Sequence, residues 1–350
     1  NDGDLDMYVA NCGPNALYRN EGTGTFTKIL TGVLVENGEC SNGASWADYD
    51  NDGDFDVFVT NGLDLSNQFY QNQGSGDFIE ITVGDIVTDN AQSWGSAWGD
   101  LDNDGDLDLF VANSNEPFTQ DNFIYKNNGD GTFTGIYDHL LNHNDLLAIG
   151  CAWGDYNNDG DLDLFIGIDG GTNVLFANQG NSNSWVNILC VGTESNHSAI
   201  GAKVHVKANL NGNDVWQVNE ISGQTGAFGQ NSLNAEFGLA DATIIDSIRI
   251  EWPSGMVNEY ADIQVDEFYV IHEGPALQVS ADSLSWGQVY LDGAYSLALE
   301  VSNQGPLVLQ IDNISTDNPA FIADLTSLQL EPNETSAIMV TFEPTVTGVF

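Results

Sequence analysis

The chain has 350 residues and carries 52 Asp and Glu against 6 Lys and Arg, a formal charge of −46. That balance opposes binding to nucleic acid, whose phosphates call for a basic surface, and to anionic membranes. No run of 18 apolar residues occurs, so no membrane-spanning helix is expected.

In chain order, the first feature is NDGDLD, Asn1 to Asp6. It is the tail of an acidic loop that recurs complete as DYDNDGDFD (Asp48 to Asp56), DLDNDGDLD (Asp100 to Asp108) and DYNNDGDLD (Asp155 to Asp163). The complete copies start 52 and 55 residues apart. One motif per unit of this length marks a repeat architecture. Before each complete loop stands a short run ending at a tryptophan: GASWAD, GSAWGD and GCAWGD. After each comes an alternating run: DFDVFVTN, DLDLFVAN and DLDLFIGI. A third run follows, NALYRNEG, NQFYQNQG, NFIYKNNG and NVLFANQG, and in the first three copies a fourth, TGTFTKIL, SGDFIEIT and DGTFTGIY. Period-two alternation, β-branched and aromatic residues and Gly/Asn/Asp flanks predict strands. Four short strands per unit predict the blade of a β-propeller.

Each complete loop places side-chain oxygens at positions one, three, five and nine and glycine at six. Glycine suits a turn with positive φ. Oxygen donors in this number suit calcium, which takes six to eight in flexible geometry; magnesium wants fewer protein ligands and stricter geometry. No Cys or His lies in any loop, so a soft metal fits poorly. An EF-hand is excluded because position twelve, its bidentate Glu, is Val59, Val111 or Ile166 here. A β-hairpin calcium loop remains, with an acidic turn that holds no ion as the alternative. The expected side-chain ligands are Asp48, Asp50, Asp52 and Asp56; Asp100, Asp102, Asp104 and Asp108; and Asp155, Asn157, Asp159 and Asp163. The main-chain carbonyls of Asp54, Asp106 and Asp161 are the expected fifth ligands. Of the first site only Asp2, Asp6 and the Asp4 carbonyl remain, so about four Ca2+ sites are expected, the first incomplete.

The acidic loop, the preceding Trp and the N-x-L-Y-x-N-x-G-x-G-x-F run together resemble the FG-GAP/VCBS repeats of integrin-α-like propellers, over roughly residues 1–184. That resemblance implies a propeller, usually of seven blades, with a calcium loop between neighbouring strands of a blade. About four blades are present and the chain begins inside a loop, so a fragment of a longer protein is expected. From Ser184 the pieces SNHSAIGAKV, FGQNSL, FGLA and WPSG resemble the ASPIC/UnbV domain, a family of poorly defined function that commonly follows such propellers. From Ala276, short strands broken by Asn-Gln-Gly and Glu-Pro-Asn suggest an immunoglobulin-like sandwich. There WGQV, VSNQG and VTFEP resemble the ASH/HYDIN type, for which one more strand would be expected after Phe350. The expected fold class is therefore all-β: a partial β-propeller of about four calcium-binding blades (1–184), a small β-domain (185–274) and an Ig-like β-sandwich (275–350).

Cys12 and Cys40 could pair in an oxidising compartment, and the free alternative stays open. Cys151 aligns with Ala44 and Ser96 and reads as a small buried residue. No nucleophile elbow, P-loop or dinucleotide fingerprint occurs. His139 and His143 are four apart, yet no Glu lies between them, so a solvated loop is expected rather than zinc. Trp46, Trp98 and Trp153 could stack sugars, but their repeated position favours blade packing. Seventeen acids lie in the loops, so calcium would leave the remaining surface strongly acidic. The resulting expectation is a non-catalytic adhesion or ligand-binding protein, extracellular or at the cell surface, whose partner is a protein or glycan and whose calcium is structural. The alternatives are a polysaccharide-active enzyme or its sugar-binding ancillary part, since some polysaccharide lyases use similar propellers, and a structural spacer or filament subunit.

Overall fold

A computed structural model describes residues 5–36, 39–74, 76–114, 120–137, 147–274, 277–281 and 283–347. Asp2, Asp4, His139, His143 and Phe350 lie outside the described residues. Among the described residues there are 29 strands and two single-turn helices, so the chain is almost wholly β. It forms two compact units, Asn1–Leu189 with Ser195–Phe268, and Cys190–Glu194 with Tyr269–Phe350.

Four antiparallel sheets begin the first unit. The first contains Met7–Val9, Ala16–Asn20 and Phe26–Ile29. The second contains Ser41–Ala47, Asp56–Asn61, Gln68–Asn72 and Phe78–Ile81. The third contains Ser93–Gly99, Asp108–Asn113, Phe123–Asn127 and Phe133–Gly135. The fourth contains Ala148–Gly154, Asp163–Ile168 and Val174–Phe176. In each sheet the strands lie in sequence order, as in a propeller blade.

Asp56–Asn61 and Asp108–Asn113 are buried at every residue. A strand with both faces covered must have a sheet packed on either side. Val57 and Val59 meet Leu34 and Val35 at the edge of the first sheet, whereas Phe58 turns the other way to join Trp98, Leu109 and Val111. One blade on, Phe110 and Ala112 face Cys151, Trp153, Leu164 and Ile166. Successive residues of one strand thus build two different cores, as alternation across a strand dictates. Trp98 and Trp153 are buried in these interfaces, and the Trp153 indole donates to the Ala97 carbonyl at 3.1 Å. Trp46 stands edge-on to Tyr8 and Phe78 and is 40% exposed.

The helices Val33–Glu36 and Asp85–Thr88 were not legible in the sequence. One turn is too short to display a helical period. They bury Leu34 and Val35, and Ile86 and Val87, against the blade interfaces.

The rest of the first unit contributes a four-stranded sheet of Asn213–Glu220, Lys203–Leu210, Ile245–Glu251 and Val257–Ile263. It also contributes Ala235–Gly238, paired with the start of Trp185–Val191. Val204, Val206 and Ala208 alternate inward beside Ile248 and Ile250.

This part is joined to the blades closely. Gly226 and Gly229 bridge to form a small hairpin that lies across the loop-entering strands of three blades. A Cβ added at Gly226 would sit 2.2 Å from the Ser96 carbonyl oxygen, and one at Gly229 would sit 2.0 Å from that of Cys151. The blades answer with their own glycines. A Cβ at Gly43 would meet Ala227 at 2.6 Å, one at Gly95 the Ala227 oxygen at 2.7 Å, and one at Gly150 the Phe228 oxygen at 2.4 Å. These are the first residues of GASWAD, GSAWGD and GCAWGD. Glycine is required at Gly95 and Gly150 because backbone approaches backbone, and at Gly43 because the Ala227 methyl does.

In the second unit, Leu277–Val279, Tyr295–Asn303, Thr335–Phe342 and Phe321–Ala323 form one sheet, and Leu309–Ile311 pairs with Leu328–Leu330. Val301, Leu330 and Ile338 form its buried core.

Candidate metal centre

Each complete acidic loop joins the first and second strands of its blade, and its geometry is built by its own carboxylates. In the first complete loop, the amides of Asp52 and Gly53 donate to the two oxygens of Asp48, each at 3.0 Å. The Asp54 amide donates to Asp52 Oδ1 at 2.9 Å. The ninth residue closes the loop: Asp56 accepts from the Tyr49 amide at 3.4 Å and from the Asn72 amide, one strand away, at 2.7 Å. The later loops repeat this network. Asp100 accepts from Asp104 and Gly105, and Asp108 from Leu101 and Asn127. Asp155 accepts from Asp159 and Gly160, and Asp163 from Tyr156 and Asn178. Asp6 keeps its share of the pattern, accepting from the Asn20 amide at 2.7 Å. The Asn of each third run is therefore the partner of the ninth aspartate. The fourth residue of each complete loop, Asn51, Asn103 or Asn158, has φ between 53° and 57°, a left-handed turn that Asn tolerates.

The loops bring together positions one, three and nine. Carboxylate oxygens of Asp48, Asp50 and Asp56 lie within 4.8 Å of one another, and so do those of Asp100, Asp102 and Asp108. Position five is not part of either group: the carboxylates of Asp52, Asp104 and Asp159 accept from the amide two residues on. In the third complete loop position three is Asn157, whose Nδ2 donates to Asp159 at 2.7 Å. The position-seven side chains lie against a glycine of the third run, so that a Cβ at Gly129 would sit 2.6 Å from Asp106 Oδ2 and one at Gly180 2.4 Å from Asp161 Oδ2.

The electrostatics of the bare loops are unfavourable. Burial pushes Asp48 up to about 7, Asp56 up to about 8 and Asp108 up to about 7. Burial, reinforced by the charge of Asp108, holds Asp100 well above the ordinary carboxylate range. Burial also raises Asp50 and Asp104, and lifts Asp106 to about 6. Asp161 and Asp163 are raised for the same reason. Two carboxylates about 4 Å apart repel by roughly 4 kcal/mol at an effective dielectric near 20. One oxygen in each full site, Asp50 Oδ1 and Asp102 Oδ1, is buried without a hydrogen-bond partner. A buried carboxylate oxygen in that state is costly. Three converging carboxylates, one of which keeps an orphaned oxygen, make an all-oxygen donor set that fits a hard divalent cation.

Several functional contacts left no mark that the sequence alone could reveal. The ammonium of Lys126 pairs with Asp102, and with Asp104 at 3.2 Å. At the equivalent place in the preceding blade Gln71 donates to Asp50 Oδ2 at 2.6 Å. The loops also touch one another. Asn51 Nδ2 donates to the Gly105 carbonyl at 3.1 Å, and Asn103 Nδ2 to the Gly160 carbonyl at 3.2 Å and to Asp161 at 3.0 Å. Finally, FGLA and FGQNSL seat on the blades. The Ala240 amide donates to the Asn103 carbonyl at 2.8 Å, and Asn231 bridges the Trp153 amide and the Trp98 carbonyl. A Cβ at Gly238 would lie 2.0 Å from Asp100 Oδ2.

Residues 1–59, 48–111 and 100–166 match the FG-GAP-like repeat, and residues 192–278 match the family described as ASPIC and UnbV. The chain is 27% identical over 259 residues to Cartilage acidic protein 1 of Mus musculus, covering 69% of this chain and 38% of that protein. It is 25% identical over 258 residues to Cartilage acidic protein 1 of Xenopus tropicalis, covering 70% and 39%. The chain thus spans less than half the length of these curated relatives. Among solved structures, Escherichia coli alpha-2-macroglobulin activated by porcine elastase aligns with a TM-score of 0.18 at 10% identity, over 97% of this chain and 29% of that one. Agreement at that level carries no structural inference.

Proposed function

We propose that this chain is part of an extracellular adhesion or ligand-binding protein, without catalysis of its own, whose blades are held by structural calcium. The observation that carries the reading is the convergence of three carboxylates, one with an orphaned oxygen, at the same place in two successive blades. The chain's FG-GAP repeats, its ASPIC/UnbV domain and its similarity to cartilage acidic proteins support an extracellular setting. No helix among the described residues is long and apolar enough to cross a membrane.

The ligands are Asp48, Asp50, Asp52 and Asp56 with the Asp54 carbonyl, and Asp100, Asp102, Asp104 and Asp108 with the Asp106 carbonyl. The third set is Asp155, Asn157, Asp159 and Asp163 with the Asp161 carbonyl, and Asp6 belongs to the first site with Asp2 and Asp4. Calcium, where bound, would neutralise the buried aspartates and tie two strands of each blade, with the position-five carboxylates as further oxygen donors. Residues 185–274 form the ASPIC/UnbV-like β-domain after the blades at 1–184, and residues 275–350 form an immunoglobulin-like module.

Retention of the purified protein on arrays of extracellular-matrix proteins and of glycans, in calcium and in EGTA, tests the reading. Specific retention that falls in EGTA is expected. Release of new reducing or unsaturated ends from a glycan would overturn the non-catalytic reading, and absence of any retention would overturn the binding role.

A further inference from the structure

We infer that the cleft beneath the Gly226–Gly229 hairpin receives a cationic side chain, arginine or lysine, of a basic partner protein. The cleft has a volume of about 360 Å³ and is lined by Gln92, Trp94, Ser114, Ile149, Asp169 and Phe228. That volume falls in the range of small-ligand pockets. Nothing in the calcium loops contributes to it.

Phe228 is the feature that asks for an explanation. It is 70% exposed, and its φ is +56°. A bulky residue in left-handed backbone is strained, and such strain persists only where the surroundings fix it. Here the flanking glycines fix it, because Gly226 and Gly229 press on the carbonyls of Ser96 and Cys151. Asn231 and Thr225 brace the hairpin further, the Asn231 amide donating to Thr225 Oγ1 at 2.8 Å. The result is an apolar ring held in the open at a cost to the fold.

Trp94 faces it. The two ring centroids are 6.1 Å apart and the planes are tilted by 51°. Trp94 is pinned at both ends: its indole N–H donates to the Ser114 carbonyl at 3.1 Å, and its own carbonyl accepts from Thr60 Oγ1 at 2.6 Å. Two aromatic rings set at an angle, in a cleft that Asp169 and Gln92 also line, suit a cation. The ring faces attract it through their quadrupoles and the carboxylate through its charge. A flat sugar ring would call for one open aromatic face instead. The charge of the whole chain, −46, draws cations toward every opening and repels anions.

The inference rests on the ligand-binding reading and names the partner's chemistry. It is tested with a labelled pentapeptide of four glycines around a central arginine, acetylated and amidated, titrated at physiological ionic strength. A citrulline peptide serves as the neutral control. Wild-type protein is expected to bind the arginine peptide at least tenfold more tightly than the citrulline peptide. Trp94→Leu and Phe228→Asn, which leave the charge unchanged, are expected to lose that binding at least tenfold. Asn tolerates left-handed backbone, so Phe228→Asn is expected to melt at or above the wild-type temperature while losing the peptide. Equal binding by wild type and both variants would overturn the inference, since general negative charge would then suffice. So would equal affinity for citrulline, or a neutral glycan whose binding alone depends on Trp94 and Phe228. Failure of the arginine peptide with retention on matrix proteins intact would sink the inference and leave the adhesion reading standing. Failure of both would remove both.

Discussion

Position three distinguishes the three complete loops. Asp50 and Asp102 each present a buried oxygen with no hydrogen-bond partner, whereas Asn157 is neutral and engaged with Asp159. The first two complete loops should therefore bind calcium more tightly than the third. Lys126 modifies the second of them, because its ammonium already pairs with Asp102 and Asp104. The Lys126 side chain is 34% exposed, so its repulsion of a divalent ion about 6 Å away is screened to roughly 1–3 kcal/mol at an effective dielectric of about 40–80, and Lys126→Gln, which copies Gln71, is expected to tighten that site by roughly tenfold. Calorimetric titration checks this, and unchanged affinity would show that the lysine moves aside freely. The buried acids also set a pH dependence. Asp48 at about 7, Asp56 at about 8 and Glu236 at about 7 all hold their protons more tightly folded than unfolded, chiefly because they are buried. Their contribution is fully present below the unfolded value near 4 and is lost as pH rises through the folded values. In EGTA the melting temperature is expected to fall from about pH 5 to about pH 8. In calcium, which binds the ionised form, the fall should shrink or reverse. A metal-free protein that gains stability over this window would contradict the burial assigned to these groups.

At the scale of the element, the sequence was most legible where residue type and period coincide. The three complete acidic loops, the alternating strand after each and the tryptophan before each stand where spacing placed them. The single-turn helices were not legible, since Leu34, Val35, Ile86 and Val87 show no period in four residues. Nor was the role of Gly43, Gly95 and Gly150, because what forbids a side chain there is a hairpin more than 70 residues away in the chain. The carboxylates at positions one, three and nine that converge in two loops were legible as a cluster of oxygen donors, yet the Asx-type turn that occupies position five was not. The hairpin contact makes a quantitative expectation. Gly150→Ala forces a methyl against the Phe228 carbonyl and is expected to cost about 1–3 kcal/mol, read as a lowered denaturation midpoint. Stability unchanged by that substitution would show that the hairpin is free to lift. Asn51 and Asn103 reach across to the next loop, so Asn103→Ala is expected to weaken calcium at the loop of Asp155 as well as at its own, by several-fold.

Over the whole molecule, the repeat and its family resemblance were visible from one motif, but the packing of the ASPIC/UnbV segment on the blades was not. SNHSAIGAKV, FGQNSL and FGLA were legible as a family signature; Asn231, Gly238 and Ala240 gain a physical meaning only when set against Trp98, Asp100, Asn103 and Trp153. Cys12 and Cys40 form a disulfide across 28 residues, while Cys151 and Cys190 are buried and free. Closing a loop of that length restricts the unfolded chain by about 3–4 kcal/mol, so Cys12→Ala with Cys40→Ala is expected to lower stability by that order. A reductant should lower the wild-type midpoint and leave the double variant's unmoved. The proposed calcium sites are tested most directly by the thermal midpoint of metal-stripped protein, measured in EGTA and again with calcium at ten times its Kd. A rise corresponding to about 1.4 kcal/mol for each occupied loop is predicted, and it should be lost in part with Asp50→Asn and further with Asp102→Asn. The same midpoint in EGTA and in saturating calcium would contradict it.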